Sequence, residues 1–439
     1  MSESPITITL KEWERLAPDD PRVKPIGGTI GDDVGTKRLA QELSKSGRLE
    51  IIELREGLSI QSFSYVGRIT LGNVQITIRP KIDDAPFLKL LRYAYGLRDL
   101  RLMTSAAFGS ERDSFQELLI QQLAAEVTEL VGRGLHRQYV RTDADLANPR
   151  GKINIQSIAN RGGVIEATLP CTYHPRLEDC LINQILLQGL LLAANLTNNS
   201  TLRLQLFRLA SMFENIYPIR LDSHALKKLQ REMSRLTVAY QPAITIIELL
   251  LAAQGIGMDE TPATIHLSGF LFNMDLFFQA LLSRFLKEHL PEYTVQDQYR
   301  IHGMMSYDPA YNPRRRRAPT PRPDYVVLWQ SRVVAILDAK HRDLWENPLP
   351  EHMLYQLALY ALSQPNGTTA AMLYPTMDSL AREARIVIRD PVYKTRRAQV
   401  ILRPVNLPYM ADLLSFPGTT SNMRKKVAFA RRLAFGENL

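Results

Sequence analysis

The chain has 439 residues, 45% of them hydrophobic and 23% charged, values that exclude a fibrous or wholly disordered protein and leave room for two or three domains. Lysine and arginine (54) outnumber aspartate and glutamate (45), giving a net charge of +9, which favours nucleic acid or an anionic surface as partner. Two cysteines, Cys171 and Cys180, exclude a disulfide framework or a CxxC zinc site.

The amino terminus lacks the basic start and apolar core of a signal peptide. Residues 1 to about 100 read as strand-rich: 49–54, 58–71 and 74–80 are rich in Ile and Val, with a Gly72-Asn73 hairpin turn between the last two. Pro80 ends that run, and 87–95 switches to helical spacing closed by Gly96. From 111 to about 255 the pattern is mainly helical. Phe115, Leu118, Leu119, Leu123 and Val127 recur at helical spacing, a short β-like insert covers 139–171, and further helices are expected at 177–197, 200–216 and 223–238. The apolar stretch 181–196 is broken by Asn183, Gln184 and Gln188 and is too short to span a bilayer, so the expected setting is the cytoplasm, away from membranes.

A polar, glycine-bearing boundary lies near 255–262. Beyond it the order is a helix (269–290), a strand (294–301), a Pro/Arg-rich loop (308–323), two strands in DYVVLW and RVVAILDAK, a helix (351–363), a strand (369–375), two β segments (384–389 and 398–404) and a basic terminal helix. This succession argues for an α/β domain with a mixed sheet. The division expected is a β-rich domain (1–110), a mainly helical middle (111–258) and an α/β domain (259–439).

The chemistry concentrates in Pro323-Asp324 and, thirteen residues on, Asp338-Ala339-Lys340. Asp324 opens one apolar strand and Asp338 closes the next, so a hairpin brings the carboxylates together, where they suit one hard divalent cation such as Mg²⁺. Lys340 lies on the face of Asp338 and its ammonium could orient a water or stabilise a phosphorus centre. Taken singly, either acid also fits a strand end facing solvent. On the following helix Gln356 and Tyr360, four apart, share a face and can hydrogen-bond to phosphate or to a metal's water shell.

This set resembles the PD-(D/E)xK nuclease superfamily, in the branch with a QxxxY helix. The resemblance implies a central mixed sheet flanked by helices, metal ligation by Asp324 and Asp338 with Mg²⁺ (Mn²⁺ as the alternative), water activation by Lys340, and support from Gln356 and Tyr360. The family often places a glutamate on the preceding helix. Here the matching position is Gln279, a poorer ligand for a hard cation, with Asp275 one turn earlier as a substitute.

YVGRITLGNVQITIRPKI (65–82), LLRYAYGL (90–97), RGKINIQ (150–156) and LEDCLINQILLQGLLL (177–192), in this order before the nuclease pattern, resemble the McrC family. That resemblance implies an α+β amino-terminal adaptor docking into an McrB-like AAA+ GTPase ring, followed by the α/β nuclease domain. It further implies cleavage of double-stranded DNA in a modification-dependent restriction system, with base recognition left to the partner. The chain has no GxxxxGK[ST] loop of its own. A second copy in the working assembly would supply the site for the other strand.

Arg314, Arg315, Arg316, Arg317 and Arg322 precede Asp324 and suit sequence-independent phosphate contact, or form a solvated charge run. Arg424, Lys425, Lys426, Arg431 and Arg432 on the last helix fit DNA contact, packing with the basic side outward, or both. His341 faces away from Lys340, which favours a structural role, and His352 is uncommitted. Gly67, Gly72 and Arg79-Pro80-Lys81 fit either a docking hairpin or turns of a small β-domain. Two further readings stay open: a stand-alone repair or defence nuclease, and a chiefly non-catalytic activator of a GTPase ring.

Overall fold

Alternating Ile and Thr near the amino terminus form β1 (Ile6–Lys11), which pairs in parallel with a strand almost seventy residues later. The computed structural model describes residues 6–31, 33–97, 115–161, 167–256, 265–266, 269–363, 369–415 and 419–436. The expected boundaries near 110 and 258 lie outside the described residues. The chain folds as two compact units: Met1–Asp99 with Leu271–Leu439, and Leu100–Phe270.

After β1 come β2 (Arg15–Leu16), α1 (Val34–Lys45), β3 (Leu49–Leu54), β4 (Gly57–Ser62), β5 (Tyr65–Leu71), β6 (Val74–Arg79) and α2 (Asp84–Tyr95). The side chain of Asp33 caps α1 by accepting from the Thr36 amide at 2.8 Å. The single strand expected at 58–71 is two. β4 joins β2 and β3 in one sheet and β5 joins β1 and β6 in another, with Phe63 and Ser64 at the switch. The carbonyls of those two residues leave the ladder to accept from the amides of Trp13 and Met274. The expected turn at Gly72-Asn73 forms, with Leu71 opposite Val74 and Gly72 at φ 59°.

The second unit holds α3 (Phe115–Gly132), β7 (Gln138–Tyr139), β8 (Thr142–Leu146), β9 (Lys152–Ile153), α4 (Ile155–Asn160), β10 (Leu169–Tyr173), β11 (Arg176–Leu177), α5 (Leu181–Leu196), α6 (Ser200–Ser211), α7 (Ser223–Glu232), α8 (Gln241–Gln254), β12 (Gly255–Ile256) and β13 (Ile265–His266). The three middle helices are shorter than their apolar spacing suggested: α5 starts only after its cap Cys180, while α6 and α7 begin where expected, capped by the side-chain oxygens of Asn199 and Asp222, and end early at Met212 and Met233. Gly189 of α5 lets the side chain of Ile247 on α8 sit where a Cβ would lie 2.3 Å away.

The first unit resumes within β14 (Gly269–Asn273), at Leu271, and continues with α9 (Met274–His289), β15 (Thr294–Asp297), β16 (Tyr325–Trp329), β17 (Arg332–Ala339), α10 (Glu351–Leu362), β18 (Thr369–Thr376), β19 (Ala384–Arg389), β20 (Arg396–Asn406), α11 (Leu407–Ser415) and α12 (Thr420–Phe435). The helix expected from 269 begins at 274. Residues 269–273 instead extend the β1–β6–β5 sheet beside β5, and Asn273 caps α9 by accepting from the amides of Asp275 (2.9 Å) and Leu276 (3.1 Å). The strand expected at 294–301 stops at Asp297, because Gln298 takes a left-handed φ of 52°.

The expected mixed sheet has six strands in the order β15-β16-β17-β18-β20-β19, with β17, β18 and β20 parallel and the others antiparallel to their neighbours. Val326, Ile336, Met372, Val400 and Leu402 form its core with Leu357, Tyr360 and Ala361 of α10. The strands supply Val, Ile and Leu because both faces are covered.

Candidate active site

Asp324 and Asp338 meet because a bulge takes one extra residue out of the ladder. The hairpin turn at Gln330-Ser331, both at positive φ, pairs Trp329 with Arg332 and Leu328 with Val333. Carried on unbroken, that register would set Asp324 opposite Leu337 and turn Asp338 to the other face. A bulge intervenes: Val327 pairs with Ala335, leaving Val334 as the extra residue, and Tyr325 pairs with Leu337. One step further, Asp324 stands opposite Asp338, on the face that Val326 and Ile336 share with α10.

Both acids are buried, Asp324 at 6% exposure and Asp338 at 1%. Asp324 is tightly held. Its Oδ2 accepts from the Ala339 amide at 2.8 Å and from Gln279 Nε2 at 3.2 Å, and its Oδ1 accepts from Gln298 Nε2 at 2.9 Å. Facing a carboxylate, each glutamine must present its amide nitrogen. Gln279 therefore acts as a donor to Asp324, while its main-chain carbonyl accepts from the Tyr325 hydroxyl at 2.7 Å. Gln298 went unnoticed in the sequence, where it is one polar residue after a short strand. Asp338 is the less satisfied acid. Its Oδ2 is buried without a hydrogen-bond partner among the described residues, and the Lys340 ammonium lies 3.6 Å away, too far for one.

Burial raises both carboxyl pKa values. For Asp338 the neighbouring Asp324 charge adds to burial, against the pull of Lys340, and its pKa is pushed up to about 7. Lys340 shows the converse. Burial works against its charge, but Asp338, Asp324 and Asp275 outweigh it, and the ammonium holds its proton above the usual lysine range. At neutral pH Lys340 is thus a donor and a positive charge, not a base.

Gln356 and Tyr360 meet on α10 as their spacing suggested: Gln356 Nε2 donates to the Tyr360 hydroxyl at 2.7 Å. Tyr360 is buried in the core beneath the sheet. Burial raises its pKa, Asp338 and Asp324 add to the rise, and its hydroxyl therefore stays protonated within electrostatic reach of the acids. Asp275 is committed elsewhere. Its Oδ1 accepts from the His341 amide at 2.9 Å and its Oδ2 from the Ser64 hydroxyl. His341 is buried and turned away from the acids, while His352 is exposed on α10.

Arg314, Arg315, Arg316, Arg317 and Arg322 are all exposed. Asn312 folds the run into a turn: its Oδ1 accepts from the Arg316 amide at 2.8 Å, and its Nδ2 donates to the Arg316 carbonyl at 2.9 Å. Arg322 donates to the carbonyl of Gln298 at 3.2 Å, joining the arginine loop to a residue that holds Asp324. Asp324 also opens on a groove of about 630 Å³, lined by Gln279, Ser283, Lys287, Asp297 and Gln298 among others. On α12, Phe429 and Leu433 are buried while Arg424, Lys425, Arg431 and Arg432 face outward.

The residues present fit a divalent cation. Two buried carboxylates face one another, one with an oxygen that no donor meets, and both would be relieved by positive charge. Among the described residues no group of three or more His, Cys, Asp and Glu side chains forms a metal cluster. A two-carboxylate site suits Mg²⁺, which keeps several waters and binds through one or two carboxylates.

Comparison with known proteins places the chain. The family model of the McrBC 5-methylcytosine restriction system component matches residues 60–375. No curated protein matches. Among solved structures, a chain of the half-complex from the tetradecameric assembly of Thermococcus gammatolerans McrB AAA+ hexamers with bound McrC aligns with a TM-score of 0.59 and 21% identity, covering 96% of this chain and 99% of that one. A chain of the Thermococcus gammatolerans McrBC complex aligns at a TM-score of 0.48 and 21% identity, over 65% of this chain and 88% of that one. The first likeness is one of fold across nearly the whole length. The family match runs from β4 to the end of β18 and takes in both candidate acids: the chain belongs to the McrBC 5-methylcytosine restriction system component family.

Proposed function

We propose that this chain is the DNA-cleaving subunit of a modification-dependent restriction system, a cytoplasmic nuclease of the PD-(D/E)xK type that works with an McrB-like AAA+ GTPase. The observation that carries the reading is the buried Asp324–Asp338 pair with an oxygen unmet among the described residues, flanked by a protonated lysine, where β16 begins and β17 ends in a mixed sheet. Family membership supports the setting.

Asp324 and Asp338 would hold Mg²⁺, or Mn²⁺ in its place. A cation there supplies a water of lowered pKa and neutralises charge on the phosphate. Gln279, Gln298 and the Ala339 amide favour the ionised form of Asp324 against the effect of its burial and fix its direction. Lys340, as ammonium, donates to the attacking water or to a phosphoryl oxygen and stabilises the charge that grows there. Tyr360, supported by Gln356, remains a neutral donor beside them. The arginine turn at 314–317 meets the phosphate backbone without reading sequence. Cutting both strands of a duplex needs two such sites, hence a second copy in the working assembly.

The test is cleavage of modified and unmodified plasmid with Mg²⁺, for wild type and Asp338→Ala, each with and without the GTPase partner and GTP. The proposal expects cleavage of modified DNA only with the partner and GTP, lost in the variant and on chelation. Cleavage without the partner would point to a stand-alone nuclease. Faster GTP hydrolysis with intact DNA in both variants would leave only an activator.

A further inference from the structure

The ladder that holds β17 ends with Lys340, whose amide donates to the Leu373 carbonyl at 3.1 Å. The next residue, His341, is gripped from outside the sheet at three points. Its amide donates to Asp275 Oδ1 at 2.9 Å, its carbonyl accepts from Trp13 Nε1 at 2.7 Å, and its ring Nε2 lies 2.8 Å from Glu12 Oε2. Its ring also meets Phe278 edge-on at 5.8 Å. His341 is buried.

Each gripping residue is itself fixed by the amino-terminal sheets. Glu12 Oε1 accepts from the Lys81 amide at 2.7 Å, and Asp275 Oδ2 accepts from the Ser64 hydroxyl. Trp13 sits at φ 62°, a left-handed conformation that is costly for a bulky residue and persists only where surrounding contacts impose it. Its ring lies edge-on to Phe63 at 5.9 Å and carries the Arg342 guanidinium at 5.3 Å. A buried acid–histidine pair is a costly way to fill space that an apolar pair would fill as well, so its use argues for a demand on orientation.

We infer that Glu12, Trp13 and Asp275 are positioning residues for Lys340: the amino-terminal sheets clamp the residue after it and so fix the peptide from which its ammonium reaches toward Asp338. The inference rests on the reading of Asp338 and Lys340 as the cleavage site. Release of the clamp frees the 340–341 peptide to turn, and a displacement of about 1 Å at a reacting group costs on the order of a hundredfold in rate.

The test uses the full chain with its GTPase partner and compares Trp13→Phe, which keeps the ring and loses the donor, with Glu12→Gln and the near-isosteric apolar Glu12→Leu. Three quantities are read: amide hydrogen exchange of peptides covering 338–343, single-turnover cleavage of modified plasmid, and DNA affinity. Trp13→Phe and Glu12→Leu should speed exchange at 340–342 by about tenfold or more and leave the β18 and β20 peptides unchanged. They should slow cleavage by about ten- to a hundredfold at unchanged DNA affinity. Glu12→Gln, still able to hydrogen-bond, should stay within about threefold of wild type. Wild-type exchange at 340–342 in both clamp variants overturns the inference, as does Glu12→Leu cleaving as fast as Glu12→Gln. If wild type itself cuts no DNA, the function reading fails, and the exchange result still decides whether the clamp holds the Lys340 strand end. Should Glu12→Leu not fold, Trp13→Phe alone carries both readouts.

Discussion

Two buried carboxylate clusters lie on either side of Lys340 and are finished in opposite ways. On the His341 side Glu12 has a partner for each oxygen, the Lys81 amide and the His341 ring, and Asp275 likewise has two. On the Asp338 side one oxygen meets no donor, and a second carboxylate stands against it. The same elements build both. The His341 Nδ1 also lacks a partner among the described residues, so the contrast is one of carboxylate oxygens: met ones hold a frame rigid, whereas a buried unmet one beside a second acid is costly and calls for positive charge. The contrast separates frame from site without reference to any relative.

The sharpest way to break the contrast is to remove the unmet group. Asp338→Ala should lower cleavage by at least about a thousandfold, because loss of one of two carboxylates removes the cation and the charge it neutralises. Lys340→Ala comes next, at about a hundredfold or more, with Lys340→Arg retaining part of the rate because the positive charge remains.

Much of this was open to sequence reading and some was not. Asp324, Asp338 and Lys340 stood out because acids abutting apolar strands are unusual, and Gln356 with Tyr360 because helical spacing fixes which residues share a face. The mixed sheet followed from the order of elements. The bulge did not, since a single extra residue in an apolar run leaves no trace in an alternation as short as RVVAIL. Gln298 was invisible because its role comes from a left-handed backbone at a strand end. The clamp was equally hidden. It joins residues more than 300 positions apart, and nothing local in Glu12-Trp13 announces a partner in His341. The breaks at Ser64 and at 269–273 share that origin, because each is set by pairing between segments about two hundred positions apart.

Smaller effects sharpen the comparison. Replacing Arg314–Arg317 with glutamine should weaken DNA binding without changing sequence preference, and should flatten the slope of log affinity against log salt by up to about three to four. Acid–base behaviour gives a further test. Folded Asp338 keeps its proton up to about pH 7, well above an unfolded aspartate. The folded state therefore binds more protons between about pH 4 and 7, and this contribution to stability is lost as pH rises through that window. Asp338→Asn should accordingly melt about 2–4 °C higher than wild type at pH 8 in chelator, with the difference vanishing toward pH 4. In wild type, cation binding near pH 7 should release about half a proton from Asp338, measurable by calorimetry in buffers of different ionisation enthalpy.

The finest test concerns Gln279. Its amide donates to Asp324 and helps keep that carboxylate ionised without adding negative charge. Gln279→Glu removes the donor and sets a third carboxylate against the pair. Without a cation the change should raise the titration of both aspartates and lower the melting temperature slightly, as like charges are crowded in a buried place. With a cation it should do the reverse, and tighten Mn²⁺ binding by about tenfold, because a hard ion gains an anionic oxygen. A variant that binds Mn²⁺ no more tightly than wild type would mean that residue 279 acts on Asp324 alone. The glutamine would then belong to the frame, with Glu12 and Asp275, and not to the site.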